Sequence, residues 1–455
     1  MENEIAFLSI AELGRRLRAG EFSSRELTEH FLERIQELDP SLHAFITISK
    51  ERALAEAQHA DELLAQGKDL GPLHGIPYAA KDNLATAGVR TTGNSASLRE
   101  WVPTEDAAVI ARLKAKGAIL LGKLSMNELG FGGFPICLAA RNPWNRETRA
   151  GGSSGGSGAA AAARLAPFTL GTDGGGSTRI PAALCGVAGL APMPGLIDGS
   201  GELPPVVYGR TRRIGVLTRG SQDLTIVLQQ LTDATVEPIE GRGLRLGRLA
   251  CEEEITLHPD VGPAFEEALQ TFTQELGCKV TDLPLKGFSR ALEANWIFLA
   301  HQAAEHYKEA VEANPHFYTT SFRELVEQGS NLSPQELSAA QAFRDAFGAL
   351  LLGLFRQVDA LIMPTTPFLD IPVGEPEIWQ PPMPHAEGFF TAPFNLVPCP
   401  ALSIPCGFSR YGTPIGLQLV AAPNREAVIL GLARTFEQVT DWHERIPPLV
   451  YNEKE

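Results

Sequence analysis

The sequence predicts an α/β fold, and three observations predict it. Amphipathic helical patterns dominate the first 70 residues. Short apolar runs typical of buried strands follow from Ile76 onward and alternate with further helical patterns. Gly117 separates one such helix, predicted from Thr104 to Lys116, from the strand that follows it. This alternation of helix and strand is typical of α/β architecture.

The individual elements follow in order along the chain. Ser9 opens a first helix, and a capping box of Ser23 and Glu26 opens a second, which the dipeptide Asp39-Pro40 is expected to end. A third helical pattern spans residues 52–64, and a buried strand at residues 76–80 ends in Lys81. Further strands are predicted at residues 118–121, 167–170, 244–249, 360–363, 401–404 and 415–420.

Composition and charge narrow the possible partners. The 455 residues are 44% hydrophobic and 20% charged, as in a globular protein. A net charge of -15 would repel a phosphate backbone, so no nucleic-acid partner is expected. The longest apolar run, residues 346–355, is too short for a membrane span, and the acidic start at Glu2 and Glu4 is unlike a signal peptide. We therefore expect a cytoplasmic protein without membrane contact.

The six cysteines are scattered, without a C-x-x-C pair or histidines at zinc spacing, so neither a metal nor another cofactor is expected. Cys185 and Cys399 could be considered as nucleophiles. Each lies among small apolar residues with no nearby cation to lower the pKa of its thiol, which disfavours that interpretation.

A glycine-rich segment carries the main chemical signal. Residues 151–176 read GGSSGGSGAAAAARLAPFTLGTDGGG and lead into Ser177. A flexible linker would have no Ala-rich helix or apolar strand inside it, and both are present here. Glycines in such a setting indicate positive φ or close backbone approach, which is typical of a chain that wraps a reacting atom.

Two familiar glycine motifs fit this sequence poorly. Ser153 lies in a G-x-S-x-G match, but no strand precedes it, and the best available base, His443, reads as a surface helix terminus. Residues 117–123 nearly satisfy a P-loop, but Leu124 replaces the required Ser or Thr. A third interpretation pairs two glycine-flanked serines with a lysine base, a known variant of the serine triad.

The chain resembles the amidase signature family in its core motif at residues 151–181, GGSSGGS, an Ala-rich helix and then GTDGGGSTRIP. Similar motifs occur at residues 71–83, 117–123, 141–144, 399–407 and 412–420. The resemblance implies a large mixed β-sheet core covered by helices on both faces, with an acyl-enzyme forming on Ser177. It further implies that Ser153, after a cis peptide bond, relays a proton between Ser177 and Lys81.

The resemblance also assigns supporting roles. Backbone N–H groups of Gly174, Gly175, Gly176 and Ser177 would form an oxyanion hole, and Ser154 and Arg179 would support the network. Asp173 is interpreted as a structural residue that fixes the loop. Lys81 must be uncharged to act as a base, and because burial lowers the pKa of an amine, activity is expected to rise into the mildly alkaline range.

The substrate and the oligomeric state are also expectations at this point. Gly130, Phe131, Gly132 and Gly133 suggest an open, partly aromatic pocket wall that suits the amides of small apolar or aryl compounds. Two alternatives stay open: a carbamate, ester or anilide hydrolase with the same triad, and the ammonia-releasing component of a glutamine-dependent tRNA amidotransferase. The expected partners are a small-molecule substrate and at most a second copy of the chain, as a monomer or homodimer.

Departures from the family pattern put the substrate in doubt but leave the triad intact. Gly174 replaces a larger residue, residues 191–194 read APMP, and the basic cluster at residues 210–213 lies where relatives vary. The proline-rich residues 376–384 could form a lid or cross the surface. We predict one domain over residues 1–455, with an N-terminal helical region (1–70), a core that carries the triad (71–235), a mainly helical lobe (259–355) and a C-terminal part that completes the core (356–455).

Overall fold

A computed structural model describes residues 5–203, 213–250, 255–369, 371–373 and 387–451. Four features singled out in the sequence lie outside these ranges: the acidic start at Glu2 and Glu4, Cys251, the basic residues 210–212 and the proline-rich residues 376–384. Within the described ranges no helix is long and apolar enough to cross a membrane.

A large mixed β-sheet organises the described chain, as the sequence predicts. Its eleven strands lie in the order β1-β3-β2-β6-β8-β7-β12-β13-β11-β9-β10, and β4 and β5 pair separately. The strands are β1 (Phe45–Ile48), β2 (Pro77–Lys81), β3 (Ile119–Leu124), β4 (Arg141–Asn142), β5 (Asn145–Arg149), β6 (Phe168–Asp173), β7 (Ala188–Ala191), β8 (Arg213–Thr218), β9 (Arg245–Ala250), β10 (Lys279–Pro284), β11 (Ala360–Pro364), β12 (Ala401–Phe408) and β13 (Pro414–Ala421).

Helices pack against this sheet and against one another. In the described ranges they are α1 (Ile10–Arg18), α2 (Ser24–Leu42), α3 (Lys50–Ala65), α4 (Ala108–Ala115), α5 (Gly155–Ala162), α6 (Arg179–Cys185), α7 (Ser221–Leu231), α8 (Val261–Gln270), α9 (Phe288–Ala313), α10 (Thr320–Ser330), α11 (Pro334–Leu354), α12 (Pro393–Leu396), α13 (Glu426–Glu437) and α14 (Pro448–Tyr451).

Three apolar clusters hold these layers together. The largest contains the central strands together with the helices of the N-terminal region. A second, rich in phenylalanine, joins α9, α11 and α12 around Phe288, Phe347 and Phe394. A third packs α9 against α10 around Phe322 and Leu325. Helix α9 belongs to the second and third clusters, so its position depends on both of its neighbours.

Parallel pairing brings the chemically important strand ends together. Strand β2 lies between β3 and β6 and is parallel to both. Because the carboxyl ends of parallel strands meet at one edge of a sheet, Lys81 at the end of β2 and Asp173 at the end of β6 lie at the same edge. The segment that follows β6 begins there.

Every strand predicted from an apolar run is present, as are the capped starts of α1 and α2 at Ser9 and Ser23. Four strands of the main sheet were not predicted: β1, β7, β8 and β10. Strand β10 forms an edge of the sheet and is mostly exposed, which explains why no apolar pattern marks it.

Two predicted helix boundaries are wrong. Helix α2 continues past Pro40 to Leu42, where His43 adopts the left-handed conformation and closes the helix by donating its N–H to the carbonyl of Asp39 at 2.8 Å. Helix α4 begins at Ala108, not after Thr104. The N–H of Ala107 donates to the carbonyl of Ala85 at 2.7 Å, and this bond keeps the chain extended until that point.

Candidate active site

Lys81 ends strand β2 with its side chain completely buried. The amine Nζ contacts three hydroxyl oxygens, at 2.7 Å to Ser153 Oγ, 2.9 Å to Ser154 Oγ and 2.9 Å to Thr172 Oγ1. These hydroxyls come from the start of α5 and from β6, so three separate segments meet at one amine. Lys81 therefore lies within hydrogen-bonding distance of both serines of the glycine-rich motif.

The glycine-rich segment places both serines of the motif beside this amine. The peptide bond between Gly152 and Ser153 is cis, as the resemblance implies. Ser154 also donates to the carbonyl of Thr172 at 3.2 Å, which ties the start of α5 to β6. Gly156 lies so close to the backbone of Ser125 that a Cβ there would approach the Ser125 nitrogen to 2.6 Å. The close approach of α5 to this backbone therefore requires glycine at residue 156.

The three glycines after β6 form a loop that the Asp173 carboxylate holds from inside. Its oxygens accept from the N–H of Gly176 at 3.0 Å and from the N–H of Thr178 at 3.1 Å. Gly176 has a φ of 125°, and a Cβ there would collide with Thr391. Because the Gly176 amide is engaged, the amides available to a ligand are those of Gly174, Gly175 and Ser177, which donate to no described residue.

Arg179 and Asp173 form a completely buried ion pair at 2.8 Å beneath this loop. Burial alone would raise the pKa of Asp173, but the Arg179 guanidinium, helped by Arg213 and Asn395, holds it well below its usual range. Arg179 also donates to Gln418 and Asn395 at 2.7 and 2.5 Å. Asp173 therefore has the contacts of the structural residue that the sequence suggested.

A pocket opens above the loop and contains both Ser153 and Ser177. None of the described residues that line it is charged: Gly130, Phe131, Ser153, Thr172, Gly174, Gly175, Ser177, Leu292, Asn295, Trp296, Leu299, Gly388 and Ala392. Of the wall predicted from the sequence, Gly130 and Phe131 line the pocket. Gly132 and Gly133 lie instead against Thr319.

Helix α9 supplies a whole side of the pocket that the sequence did not indicate. Leu292, Asn295, Trp296 and Leu299 recur at helical spacing along one face. That spacing could have marked a buried helix face. It could not have shown which segment the face covers, since β6 and its loop lie over a hundred residues earlier.

The alternative nucleophiles and the alternative base considered in the sequence do not lie in the pocket with Ser153 and Ser177. The thiols of Cys185 and Cys399 are buried, and burial raises the pKa of both, that of Cys399 to about 12. His443 lines a separate cavity together with Glu437. A larger cleft, lined by residues 101–106 and 195–203, contains neither Lys81 nor the two serines. Among the described residues no cluster of three potential metal ligands occurs.

Comparison with known proteins gives the same family over most of the chain. The sequence profile of the amidase family matches residues 26–430. The A chain of glutamyl-tRNA(Gln) amidotransferase from Thermosynechococcus vestitus is 35% identical, over 97% of this chain and 99% of its own. A solved structure described as a vestigial protein complex that reveals the origins of an s-triazine catabolic enzyme has a TM-score of 0.87, at 30% identity over 95% of this chain and 98% of its own. Substrate-bound 6-aminohexanoate cyclic dimer hydrolase has a TM-score of 0.86, at 27% identity over 98% and 99% of the two chains.

These relatives overturn the expectation about partners. The expected partners were a small-molecule substrate, no nucleic acid and at most a second copy of the chain, yet the relative from Thermosynechococcus vestitus is by name one subunit of an amidotransferase for glutamyl-tRNA(Gln). Net charge sums over the whole surface, so it cannot exclude that a chain belongs to an assembly acting on RNA. The partner prediction was therefore wrong.

Proposed function

The chain belongs to the amidase signature family, and on that premise we propose that it hydrolyses carboxamide C–N bonds through an acyl-enzyme on Ser177. One observation carries the proposal: the buried Lys81 amine lies 2.7 Å from Ser153 Oγ, and Ser153 shares one pocket with Ser177. A serine hydroxyl becomes a useful nucleophile when a neighbouring base takes its proton, and a buried uncharged lysine can be that base.

The proposed reaction begins when Ser177 Oγ attacks the carbonyl carbon. The Ser177 proton passes to Ser153, whose own proton passes to Lys81. Negative charge develops on the substrate oxygen and is stabilised by the amides of Gly174, Gly175 and Ser177. The C–N bond breaks as the nitrogen receives the proton back from Lys81 through Ser153. A water molecule then attacks the acyl-enzyme and gives its proton through Ser153 to Lys81. That proton returns through Ser153 to Ser177 Oγ as the bond between Ser177 Oγ and the acyl carbon breaks and the acid leaves.

The pocket supports a neutral, apolar or aryl substrate. Phe131, Leu292, Trp296 and Leu299 present apolar surface, and no described lining residue offers a charge. Carbamates, esters and anilides use the same nucleophile and oxyanion donors. A panel of such compounds with a common aryl group is needed to rank them.

Covalent labelling tests the nucleophile directly. We expect a fluorophosphonate to label Ser177, as identified by peptide mapping, and Ser177→Ala to abolish both labelling and amide turnover. Ser338→Ala, an exposed serine on α11, is the matched control and should behave as the wild type. Full turnover by Ser177→Ala would remove the basis of the proposal.

A second candidate function is favoured by the relatives. The identity to the glutamyl-tRNA(Gln) amidotransferase chain extends over 97% of this chain, which supports a role in which the same serine hydrolyses the side-chain amide of glutamine and releases ammonia. Free glutamine carries an ammonium and a carboxylate. Among the described residues that line the pocket, none is charged to pair with either group.

Glutamine hydrolysis measured beside aryl carboxamides separates the two candidates. A kcat/KM for glutamine that exceeds those of all aryl amides would favour the amidotransferase role. Undetectable glutaminase activity together with turnover of aryl amides would favour the first proposal.

A further inference from the structure

Asn295 lies on the face of α9 that lines the pocket, directly against the glycine loop. Its side chain is buried, with 2% of its surface exposed. The side-chain nitrogen Nδ2 donates to the carbonyl of Gly174 at 3.2 Å. This bond fixes the orientation of the amide group, because a carbonyl oxygen accepts hydrogen bonds and cannot donate one.

The other end of the same amide has no partner. Asn295 Oδ1 is buried and accepts no hydrogen bond from any described residue. Buried polar atoms are nearly always paired, because burying one without a partner is unfavourable. An unpaired acceptor in the wall of a substrate pocket therefore indicates a hydrogen-bond donor that arrives with the ligand.

The position of Asn295 restricts which donor this can be. The peptide unit whose carbonyl it bonds carries the N–H of Gly175, one of the proposed donors to the substrate oxygen, and Ser177 lines the same pocket. For a substrate whose oxygen is held by this loop, the donor to consider is therefore the neighbour of the carbonyl carbon. In an amide that neighbour is a nitrogen with an N–H, whereas in an ester it is an oxygen, which has no hydrogen to donate.

We propose that Asn295 is a specificity-determining residue whose Oδ1 accepts a hydrogen bond from the N–H attached to the reacting carbonyl, so that the site selects carboxamides with an N–H over esters of the same acid. The inference rests on the proposed amide hydrolysis and names its substrate class more closely. A site built to bond a substrate N–H discriminates against an analogue that lacks it, because Oδ1 then stays buried and unpaired.

A purely structural role for Asn295 makes a different prediction. Loss of the bond from Nδ2 to Gly174 would disturb the oxyanion loop, and it would slow amide and ester hydrolysis alike. The ratio of kcat/KM for a primary aryl carboxamide to kcat/KM for its methyl ester cancels that shared effect. The ratio therefore reports the contact with Oδ1.

The test is this ratio in the wild type, Asn295→Leu and Asn295→Ala, with Asn314→Leu at the exposed end of α9 as the matched control. We expect the amide-to-ester ratio to fall roughly 10-fold or more in both Asn295 variants and to stay unchanged in the control. Asn295→Ala introduces no bulk, so it decides the question if the leucine variant does not fold.

An unchanged ratio in a folded Asn295 variant that still hydrolyses both substrates would overturn the inference and leave the proposed function intact. A wild-type protein that hydrolyses neither substrate would overturn both, and the two failures are therefore distinguishable.

Discussion

At the residue scale, Lys81 contacts two neighbouring serines, and the two have different surroundings. Ser154 bonds the backbone of Thr172 and does not line the pocket. Ser153 lines the pocket beside Ser177 and is nearer to the Lys81 amine, at 2.7 Å against 2.9 Å. Of the two serines, only Ser153 therefore contacts the proposed base and also lines the space where a substrate would react.

Replacing each serine by alanine tests this difference. We expect Ser153→Ala to lower kcat for a carboxamide by about 10³-fold, since it removes the proposed proton relay. Ser154→Ala should lower kcat by about 10-fold, since Lys81 keeps two of its three hydroxyl contacts. Steady-state kinetics on both variants give the comparison, and equal losses would mean that Ser153 is no more than a second support for the amine.

The buried pair of Arg179 and Asp173 gives a prediction about stability. Arg179→Met would leave the Asp173 carboxylate buried without its counterion, and breaking a buried pair in this way costs about 3–5 kcal/mol. Arg245→Met breaks a half-exposed pair with Asp359 and should cost far less, because solvent screens an exposed pair. Urea unfolding measures the free energy of unfolding of both variants. If burial decides the effect, Arg179→Met must lose clearly more stability than Arg245→Met.

At the scale of elements, one buried carboxyl group joins three segments around the pocket. Glu128 accepts from Ser95 Oγ at 2.8 Å and from the N–H and Oγ1 of Thr319 at 2.9 and 2.6 Å. Thr319 is the N-cap of α10. Burial raises the pKa of Glu128. The segment that carries Gly130 and Phe131 into the pocket is thus fastened to the helical lobe through one side chain.

Glu128→Gln tests this fastening with little change in shape. The glutamine amide offers one acceptor oxygen where the carboxylate offers two, so one of the donors of Thr319 or Ser95 loses its partner at a cost of about 1–3 kcal/mol. We expect a lower free energy of unfolding and a KM that rises more than kcat falls, because Phe131 lines the pocket and is not part of the proposed proton path. A kcat loss with unchanged KM would place Glu128 in the chemical step instead.

At the scale of the whole molecule, the main sheet collects strands from Phe45 to Ala421. Residues 259–355, predicted as a helical lobe, also contribute β10 at one edge of that sheet. The single-domain organisation stays a prediction. Coincident unfolding transitions by far-UV circular dichroism and tryptophan fluorescence would support it, and two separated transitions would contradict it.

The contact between the N-terminal helices and the rest of the molecule should respond to pH. Asp223 of α7 is buried and accepts from the N–H of Ile10 at 2.9 Å, at the start of α1. Burial raises the pKa of Asp223 from 3.8 to about 6, although Arg219 and Arg164 lie close enough to oppose the change. The folded state therefore holds the Asp223 proton more tightly than the unfolded state does. The stability that this tighter binding gives to the folded state is complete below pH 3.8 and is lost as the pH rises through about 6.

Asp223→Asn keeps an acceptor for Ile10 and cannot ionise. We expect it to be more stable than the wild type at pH 8 by up to about 3 kcal/mol, with the difference vanishing near pH 4. Asp345→Asn, an exposed position on α11, changes the net charge equally and should shift stability by no more than about 0.5 kcal/mol at either pH. Chemical denaturation at the two pH values measures both, and a constant advantage of Asp223→Asn would show that ionisation is not involved.

The sequence by itself determined the elements and motifs whose signal is local. Continuous apolar runs identified the buried strands β2, β3 and β6, side-chain caps identified the starts of α1 and α2, and the spacing of glycines and serines between residues 151 and 177 pointed to the family. Each of these signals lies within a few neighbouring residues, where backbone geometry alone restricts what the chain can do.

Only the tertiary structure decided how these local pieces meet. The Gly176 amide bonds Asp173 and so is not available to a ligand, Arg179 pairs with residues more than two hundred positions away, and α9 brings Asn295 to the Gly174 carbonyl. Such contacts form between side chains whose separation along the chain carries no periodic pattern. They depend on how whole helices and strands pack. A single sequence indicates which residues are buried, but it does not indicate which buried residues meet.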